Sequence, residues 1–284
     1  MSEIRIASIG NVDSAKSTTI ACISNNILDN GKGVARKCMF RHRHENDTGR
    51  TSSISQYYIK HENKTFGFVD LAGHEKYLKT TVSGLSGCFI DYAMVTIGVD
   101  RGIIGMTKEH MGVAISLKIP LFIVITKMDI AQRHKKDKIL NRIIKLMNSK
   151  ACNYKKCKII DETTNVNILD NWIDDNICPI FLVSNVSGYN LKNLKEFIYG
   201  FNQRIQWDIE TRDKKFILED VFNVKGIGIV LSGIPNRGNI CIGDSLYIGP
   251  FSGIFKKVIV RSIHNNFEEN IDVLHTGKFG YINV

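Results

Sequence analysis

The sequence has no long apolar run of the kind that crosses a membrane. No stretch reaches the roughly 18 apolar residues of a span without a charge, and the most apolar window, 112–126, is interrupted by Lys118 and Pro120. The N-terminal segment MSEIRIASIG also lacks the basic stretch and the long apolar run of a signal peptide. Both absences favour a cytoplasmic protein over a membrane or secreted one.

Cysteine is present without the spacing of a disulfide framework. The seven cysteines are an odd number and include no CxxC pair. Cys152 and Cys157 are close in the chain, but no His or Cys pair follows them at zinc-finger spacing. A chain of 284 residues can bury a sizeable core without such cross-links, so we expect reduced thiols.

Positive charge exceeds negative charge, and the excess is concentrated in one segment. The formal net charge is +10, and residues 131–160 contain ten Lys or Arg against the single acid Asp137. Residues 161–176 then contain five acids and no base. Such a basic segment attracts phosphate backbones, but a solvated helix face has the same composition, so both interpretations stay open here.

Up to about Ile205, apolar runs alternate with segments of helical spacing. Ile4, Ile6 and Ile9 predict a first strand that ends at Gly10, and the apolar residues that follow predict a helix from about Lys16 to Asn30, with Gly31 as its C-cap. Further strands are predicted at Phe66–Val69, Tyr92–Gly98, Leu121–Ile125 and Pro179–Val183, with helices at Lys108–Leu117 and Lys138–Met147. This alternation predicts an α/β domain with a doubly wound, mainly parallel sheet.

From Phe216 onward the sequence consists of short β-rich pieces. Gly, Pro and Asn turns separate the pieces 216–223, 227–232, 245–248, 257–263 and 279–284. That spacing predicts an antiparallel β-barrel or sandwich. We therefore expect a domain boundary near 206–214 and divide the chain into an α/β domain at 1–206 and an antiparallel β domain, a barrel or a sandwich, at 207–284, complete or truncated.

The segment GNVDSAKS, residues 10–17, lies between the first predicted strand and helix. A loop at this place can cradle phosphates with its N–H groups and the positive end of the helix. Lys16 can then reach the β- and γ-phosphates, and Ser17 can ligate Mg²⁺. The pattern has Gly where this chain has Ala15, and a β-carbon there crowds the phosphates or strains a turn of positive φ. The predicted nucleotide contacts in this loop are Asn11, Val12, Asp13, Ser14, Ala15, Lys16, Ser17 and Thr18.

Three further motifs follow predicted strands. Asp70 and Gly73 form a DxxG pattern, in which the carboxylate holds Mg²⁺ through water and the glycine amide turns toward a γ-phosphate. Thr126, Lys127 and Asp129 resemble the guanine motif NKxD, with Thr in place of Asn. A carboxylate at 129 accepts two hydrogen bonds from the N1–H and N2–H₂ edge of guanine, which adenine does not offer. The last base-contacting loop is predicted at Ser184, Asn185 and Val186.

Each of these motifs is weak alone, because an Asp at a strand end is more often a cap or a turn residue. Four of them in order, each at a predicted strand end, are specific. Together they predict a site for GTP or GDP rather than ATP.

The motifs give the chain a specific resemblance. It resembles translational GTPases of the elongation factor Tu and elongation factor one-alpha class, and within that class it is most similar to the GTP-binding-protein-one and -two family. The Thr at 126 fits that family's pattern, whereas Ala15 departs from it. The resemblance covers nearly the whole chain and rests on segments 10–14, 41–45, 48–53, 70–81, 126–129, 184–188 and 222–233.

The resemblance implies roles for individual residues. Thr51 matches the switch-one threonine that closes on Mg²⁺ and the γ-phosphate, and Asp13 matches an aspartate that binds a monovalent cation such as K⁺. His74 matches the histidine that orients the attacking water, although a lone His is otherwise a surface or core residue. The expected catalytic residues are Lys16 and His74, and the expected Mg²⁺ ligands are Ser17, Thr51 and Asp70.

The resemblance also implies an activity and partners. The expected activity is Mg²⁺-dependent hydrolysis of GTP to GDP and phosphate, which releases switch one as a conformational signal. The implied partners are RNA, namely the ribosome and aminoacyl-tRNA, while DNA and membranes are not expected and the chain is expected to be a monomer. Two alternatives stay open: a nucleotide-bound scaffold that hardly hydrolyses GTP, with Ala15 weakening its hold on phosphate, and a GTPase of RNA surveillance or decay.

Overall fold

The computed structural model describes residues 2–37, 55–209, 211 and 213–284. Contacts between Cα atoms divide the chain into two compact units, 1–204 and 205–284. The division into domains at 206 and 207 stays a prediction, because compactness alone does not show that a unit folds by itself. Within the described ranges, no helix is long and apolar enough to cross a membrane. The cysteines in these ranges are free thiols.

The first unit is built on a seven-stranded sheet with the strand order β2-β3-β1-β4-β5-β7-β6. All neighbouring strands are parallel except β2 and β3, which are antiparallel. This topology confirms the predicted mainly parallel sheet. Its strands are β1 Ser2–Gly10, β2 Ser55–His61, β3 Lys64–Asp70, β4 Tyr92–Gly98, β5 Leu121–Thr126, β6 Lys156–Ile160 and β7 Ile177–Leu182.

Helices connect these strands and cover both faces of the sheet. The described helices are α1 Lys16–Asn25, α2 Val34–Lys37, α3 Leu78–Gly87, α4 Gly105–Ser116, α5 Arg133–Met147 and α6 Leu191–Tyr199. Short 3₁₀ turns lie at Glu75–Tyr77, Met128–Ile130, Lys150–Cys152 and Val166–Leu169.

The core has two layers because successive side chains of a strand point to opposite faces. Ile4 and Ile6 of β1 belong to the layer that includes Ile20 of α1, whereas Ile9 belongs to the layer that includes Ile143 of α5. Burial of these large side chains stabilises each layer by about 1.5–3 kcal/mol per residue. The sheet thereby fixes the carboxyl ends of its parallel strands, where ligands bind in open α/β folds.

Helix α1 is shorter than the sequence predicts. It ends at Asn25 rather than Asn30, since Asn26 adopts a left-handed φ of 54°. The carboxylate of Asp29 then accepts hydrogen bonds from the N–H groups of Gly31 and Ala35, which turns the chain and prevents another helical turn. The predictions of the helix end at Asn30 and of the C-cap at Gly31 were therefore wrong.

The second unit consists of antiparallel β-structure, as predicted. One sheet has the order β14-β13-β16-β9-β8, and β10 with β15 and β11 with β12 form two-stranded sheets. A small core that includes Leu231, Ile263 and Ile282 holds them together. The strands are β8 Lys215–Val224, β9 Gly228–Arg237, β10 Ile240–Cys241, β11 Ser245–Phe251, β12 Ile254–Ile259, β13 Ser262–Asn265, β14 Asn270–Ile271, β15 Val273–Leu274 and β16 Gly280–Asn283.

Candidate nucleotide-binding site

The four motifs meet at the carboxyl edge of the sheet. They follow β1, β3, β5 and β7, which lie side by side with β4 in one sheet. Two cavities open along this edge. One, of about 500 Å³, is lined by residues of the first, third and fourth motifs, including Ala15, Asp129 and Asn185. The other, of about 390 Å³, lies between the first and second motifs and is lined by Asp13, Gly73 and His74 among others.

The loop after β1 is wound tightly around the ammonium group of Lys16. Its Nζ donates hydrogen bonds to the carbonyl oxygens of Asn11 at 2.8 Å and Gly10 at 3.3 Å. Ser14 Oγ donates to the same Asn11 oxygen at 2.8 Å. Gly10 has a φ of +141°, and a β-carbon there would collide with the carbonyl of Thr96. The loop therefore needs the glycine that the sequence supplies at its first position.

Ala15 adopts a left-handed conformation, in which a residue with a β-carbon is strained. Its φ is 66°, and it immediately precedes the first residue of α1. Asp13 in the same loop has a φ of 62°. A left-handed conformation costs an L-residue about 1–2 kcal/mol relative to glycine, so this loop folds at the expense of local strain.

Ser17 and Asp70 bring two oxygen donors together below this loop. The hydroxyl of Ser17 donates a hydrogen bond to Asp70 Oδ2, and the carboxylate is fully buried at the end of β3. Burial lowers the pKa of Lys16, while the negative charges of Asp70 and Asp13 act against that shift. Hydroxyl and carboxylate oxygens are the donors that Mg²⁺ prefers, so this pair fits the predicted ion.

Gly73 and His74 form the wall of the smaller cavity. The backbone at Gly73 approaches the phosphate loop so closely that a β-carbon would lie 2.7 Å from Val12 N. His74 is exposed, and its Nδ1 accepts a hydrogen bond from Lys76 N at 3.2 Å. A neutral imidazole that accepts at Nδ1 carries its proton on Nε2. The structure thus places His74 next to the phosphate loop, with a defined tautomer in its neutral form.

The loops after β5 and β7 are joined by side-chain hydrogen bonds. Ser184 Oγ donates to Asp129 Oδ1 at 2.6 Å and accepts from the N–H groups of Val186 and Ser187. Thr126 Oγ1 donates to the carbonyl of Ser14 at 2.9 Å, which ties this region to the phosphate loop. Asn185 is buried, and within the described residues its Oδ1 has no hydrogen-bond partner. These contacts hold Asp129 at the rim of the larger cavity.

Comparisons with known proteins agree with this geometry. The Elongation factor Tu GTP binding domain family matches residues 1–204.

The chain belongs to this family.

The similarity to whole proteins extends over both units. This chain is 37% identical over 288 residues to GTP-binding protein 1 of Xenopus laevis, and the aligned region covers 92% of this chain and 44% of that protein. It is 33% identical over 291 residues to GTP-binding protein 2 of Mus musculus, which covers 93% of this chain and 48% of that protein. The chain thus spans about half the length of these curated relatives.

Solved structures share the fold. A bacterial selenocysteine-specific elongation factor, EF-Sec, superposes with a TM-score of 0.74 at 22% identity, covering 100% of this chain and 42% of that one. Translation elongation factor SelB from Methanococcus maripaludis, in complex with the GTP analogue GppNHp, gives 0.71 at 22% identity, covering 99% and 51%. At this identity the likeness establishes the fold alone.

Arg101 lies in the same site, although none of the sequence motifs predicted it. Its Nη2 lies 3.1 Å from Asp13 Oδ2, and both side chains are about half exposed. Arg101 lines the larger cavity and the smaller one beside His74. It follows β4 and belongs to no nucleotide motif, so only the fold brings it to the phosphate loop.

His110 of α4 is a second residue that sequence reasoning missed. It is fully buried, and its Nδ1 accepts a hydrogen bond from Gly10 N at 3.3 Å. Burial, reinforced by the charge of Lys16, lowers the pKa of His110 to about 4. His110 is therefore neutral at pH 7 and supports the start of the phosphate loop from below.

Of the predicted site residues, Thr51 lies outside the described residues. Most of the remaining predicted residues line the two cavities. Ser14, Lys16 and Ser184 hydrogen-bond to residues that do, whereas Ser17, Asp70 and Thr126 lie behind these residues. In the part of the chain that the structure describes, no cluster of three or more His, Cys, Asp or Glu side chains could hold a metal.

Proposed function

We propose that this chain binds GTP with Mg²⁺, hydrolyses it to GDP and phosphate, and acts as a conformational switch on the ribosome or aminoacyl-tRNA. The proposal rests on two groups of residues that lie at opposite ends of one site, one suited to a guanine base and the other to phosphates with Mg²⁺. A carboxylate suited to guanine, Asp129, is held by Ser184 at one end. A lysine and a hydroxyl–carboxylate pair, Lys16 with Ser17 and Asp70, stand at the other.

At the phosphate end, Lys16 supplies a buried positive charge for the β- and γ-phosphates. Ser17 and Asp70 hold Mg²⁺, with Thr51 as a further proposed ligand. The bound ion neutralises charge on the phosphate oxygens. The N–H groups of the loop from Asn11 to Thr18 face the phosphates at the positive end of α1.

His74 is the residue that we assign to the attacking water. Its Nδ1 already accepts from Lys76 N, which leaves Nε2–H as the polar group of the neutral ring. Positioning of water by such a group contributes about 10²–10⁴-fold to the rate. Because His74 is exposed and lies on a short turn, alignment by an external partner is part of the proposal.

At the guanine end, the specificity for GTP over ATP comes from Asp129. Its carboxylate accepts two hydrogen bonds from guanine, and Lys127, Asn185 and Val186 line the same cavity. Membership in the Elongation factor Tu GTP binding domain family supports a partner on the ribosome for this chain. Monomeric state and action in the cytoplasm stay predictions.

One specific observation favours the second candidate, a nucleotide-bound scaffold. Ala15 brings a β-carbon and a strained φ of 66° into the phosphate loop. Such a loop can hold GDP or GTP while failing to tighten around the transition state.

Turnover of GTP by the wild type and by His74→Ala, each with and without ribosomes, tests the proposal. We expect ribosome-stimulated hydrolysis that falls at least about 100-fold in His74→Ala. His275→Ala is the matched control, because His275 is exposed and lies in the second unit.

The same preparations are titrated with GTP, GDP and ATP. Tight binding of GTP and GDP without stimulated turnover would contradict the switch and support the scaffold. Equal affinity for ATP would contradict the role of Asp129 and hence the whole proposal.

A further inference from the structure

The first unit carries a basic face that the nucleotide site does not use. Within the described residues, none of its cations forms an ion pair, and the single acid among them is Asp137. We define the basic face as Lys135, Lys138, Arg142 and Lys145 of α5, with Lys150 and Lys155 after it.

The fold makes these cations one surface. Helix α5 buries Ile139, Ile143 and Met147 against the sheet, and at 3.6 residues per turn Lys138, Arg142 and Lys145 lie on its opposite side. The helix packs against the turn at Lys150–Cys152 and against β6. Strand β6 is the last strand of the sheet. The charges on the outer side of α5 and in the turn after it therefore lie next to one another, whereas Lys156 and Lys158 share the strand face of Ile160 and point to the other side of the sheet.

An aromatic ring stands within the basic face. Tyr154 is 59% exposed, and a fixed turn holds its backbone, since Tyr154 N donates to Ser149 O at 3.1 Å. The neighbouring carbonyl of Asn153 accepts from Asn176 Nδ2 at 2.9 Å. A rigidly held, exposed aromatic ring between lysines has the composition of a base-stacking platform.

Within the described residues, the acids near this surface form no ion pair with it. Asp161 accepts hydrogen bonds from Thr163 and Thr164, Glu162 accepts one from Asn190 N, and Asp174 and Asp175 are exposed to solvent. Solvated helix faces usually mix both signs of charge. A face of six cations with a single acid, Asp137, beside it produces a positive field that attracts an anionic partner.

We infer that the basic face binds single-stranded RNA, with its lysines and arginines on the phosphates and Tyr154 stacked on a base. The inference rests on the RNA partner of the proposed function but not on GTP hydrolysis. RNA is favoured over an acidic protein because the exposed ring adds a contact that a base satisfies and a carboxylate does not.

The test measures fluorescence anisotropy of a labelled single-stranded 12-nucleotide RNA, without nucleotide, across a salt series. The triple variant Lys138→Glu, Arg142→Glu, Lys145→Glu is compared with the control Lys192→Glu, Lys215→Glu, Lys225→Glu, which has the same net charge and changes exposed lysines elsewhere. We expect the first variant to bind at least about 10-fold more weakly than the control, with a log–log salt slope reduced by about 2.

Tyr154 gives a second, independent variant pair. Tyr154→Phe keeps the ring and is expected to bind RNA like the wild type, whereas Tyr154→Ser is expected to lose about 5-fold or more. Equal weakening by both triple variants would overturn the inference, and so would competition by polyglutamate as strong as by unlabelled RNA. Loss of GTP turnover with intact RNA binding would contradict the proposed function alone.

Discussion

The two ends of the nucleotide site are built by different means. At the phosphate end the backbone does most of the shaping, with positive φ values at Gly10, Asp13 and Ala15 around the buried Lys16. At the guanine end side chains hold the loops, above all the hydroxyl of Ser184 between Asp129 and two N–H groups. In the proposed site, we therefore expect side-chain identity to select the base and backbone conformation to set how tightly phosphate is held.

The largest expected effect tests selection at the guanine end. Asp129→Asn replaces a double acceptor by a group that presents an N–H₂ to the donors of guanine. We expect affinity for GTP to fall about 1,000-fold or more, because buried polar groups are then left unpaired. Titration with xanthosine triphosphate, whose edge offers a complementary acceptor, measures whether binding returns.

The control for that change is Asp170→Asn, an exposed carboxylate of the first unit, which is expected to leave both affinities unchanged. If Asp129→Asn still prefers GTP, the base is not read by this carboxylate, and the contrast between the two ends fails.

The next effect concerns stability at the phosphate end. The pKa of His110 is about 4 in the folded chain against an ordinary value of 6.5, so the unfolded chain binds the proton more readily. The contribution of His110 to stability is full above pH 6.5 and is lost as the pH falls toward 4. The loss at pH 4 is about 3 kcal/mol, since one pKa unit is worth about 1.4 kcal/mol.

His110→Asn, whose Oδ1 can replace Nδ1 as the acceptor for Gly10 N, removes this titration. The free energy of unfolding, measured with urea, should differ between pH 7 and pH 4 by about 3 kcal/mol less in this variant than in the wild type. His275→Asn, at an exposed histidine, should keep the wild-type difference. If His110→Asn shows the same difference in unfolding free energy between pH 7 and pH 4 as the wild type, protonation of His110 does not destabilise the folded chain.

A smaller effect is expected from the cation beside Asp13. Since Arg101 lies 3.1 Å from this carboxylate and lines both cavities, we expect its guanidinium to take the place predicted for K⁺. GTP hydrolysis by the wild type should then be the same in K⁺ and in N-methylglucamine buffers. Arg101→Ala should lose about 10-fold in the absence of K⁺, or about 1.4 kcal/mol, and recover when K⁺ is added.

Arg101→Lys, which keeps a positive charge, is expected to remain independent of K⁺. A wild type that already requires K⁺ would assign Asp13 to the ion, as the family resemblance implies, and would reduce Arg101 to a surface partner worth less than about 1 kcal/mol.

The sequence predicted the central strands well because they are continuous apolar runs or, in β1, a regular alternation of isoleucines. Strands β1, β4, β5 and β7 lie where the pattern placed them. Edge strand β6 was missed, since Lys156 and Lys158 interrupt its apolar pattern. The starts of α4 at Gly105 and α5 at Arg133 also precede the predicted 108 and 138, because a polar first turn carries no apolar periodicity.

The site residues also divide into those that the local sequence predicts and those that it does not. Motif residues such as Lys16, Asp70 and Asp129 are local in sequence, and their loops meet at one sheet edge because parallel strands end there. His110 and Arg101 come to the phosphate loop only through packing of α4 on β1 and through the turn after β4. No local pattern marks a buried histidine beneath a loop or an arginine that faces another loop's aspartate.

The smallest expected effect tests whether strain at the phosphate end matters at all. Ala15→Gly relieves a left-handed φ of 66°, which costs an L-residue about 1–2 kcal/mol, and adds about 0.4–1 kcal/mol of unfolded-state entropy. The net gain in stability should be about 0.5–1 kcal/mol. Ala21→Gly is the matched control, because Ala21 is buried within α1 and glycine there should destabilise by about 1 kcal/mol.

Isothermal titration with GDP completes the test: tighter binding by Ala15→Gly alone would show that the β-carbon weakens the hold on phosphate. Equal behaviour of the two variants would mean that the loop's conformation is set by its hydrogen bonds to Lys16, not by what each residue tolerates.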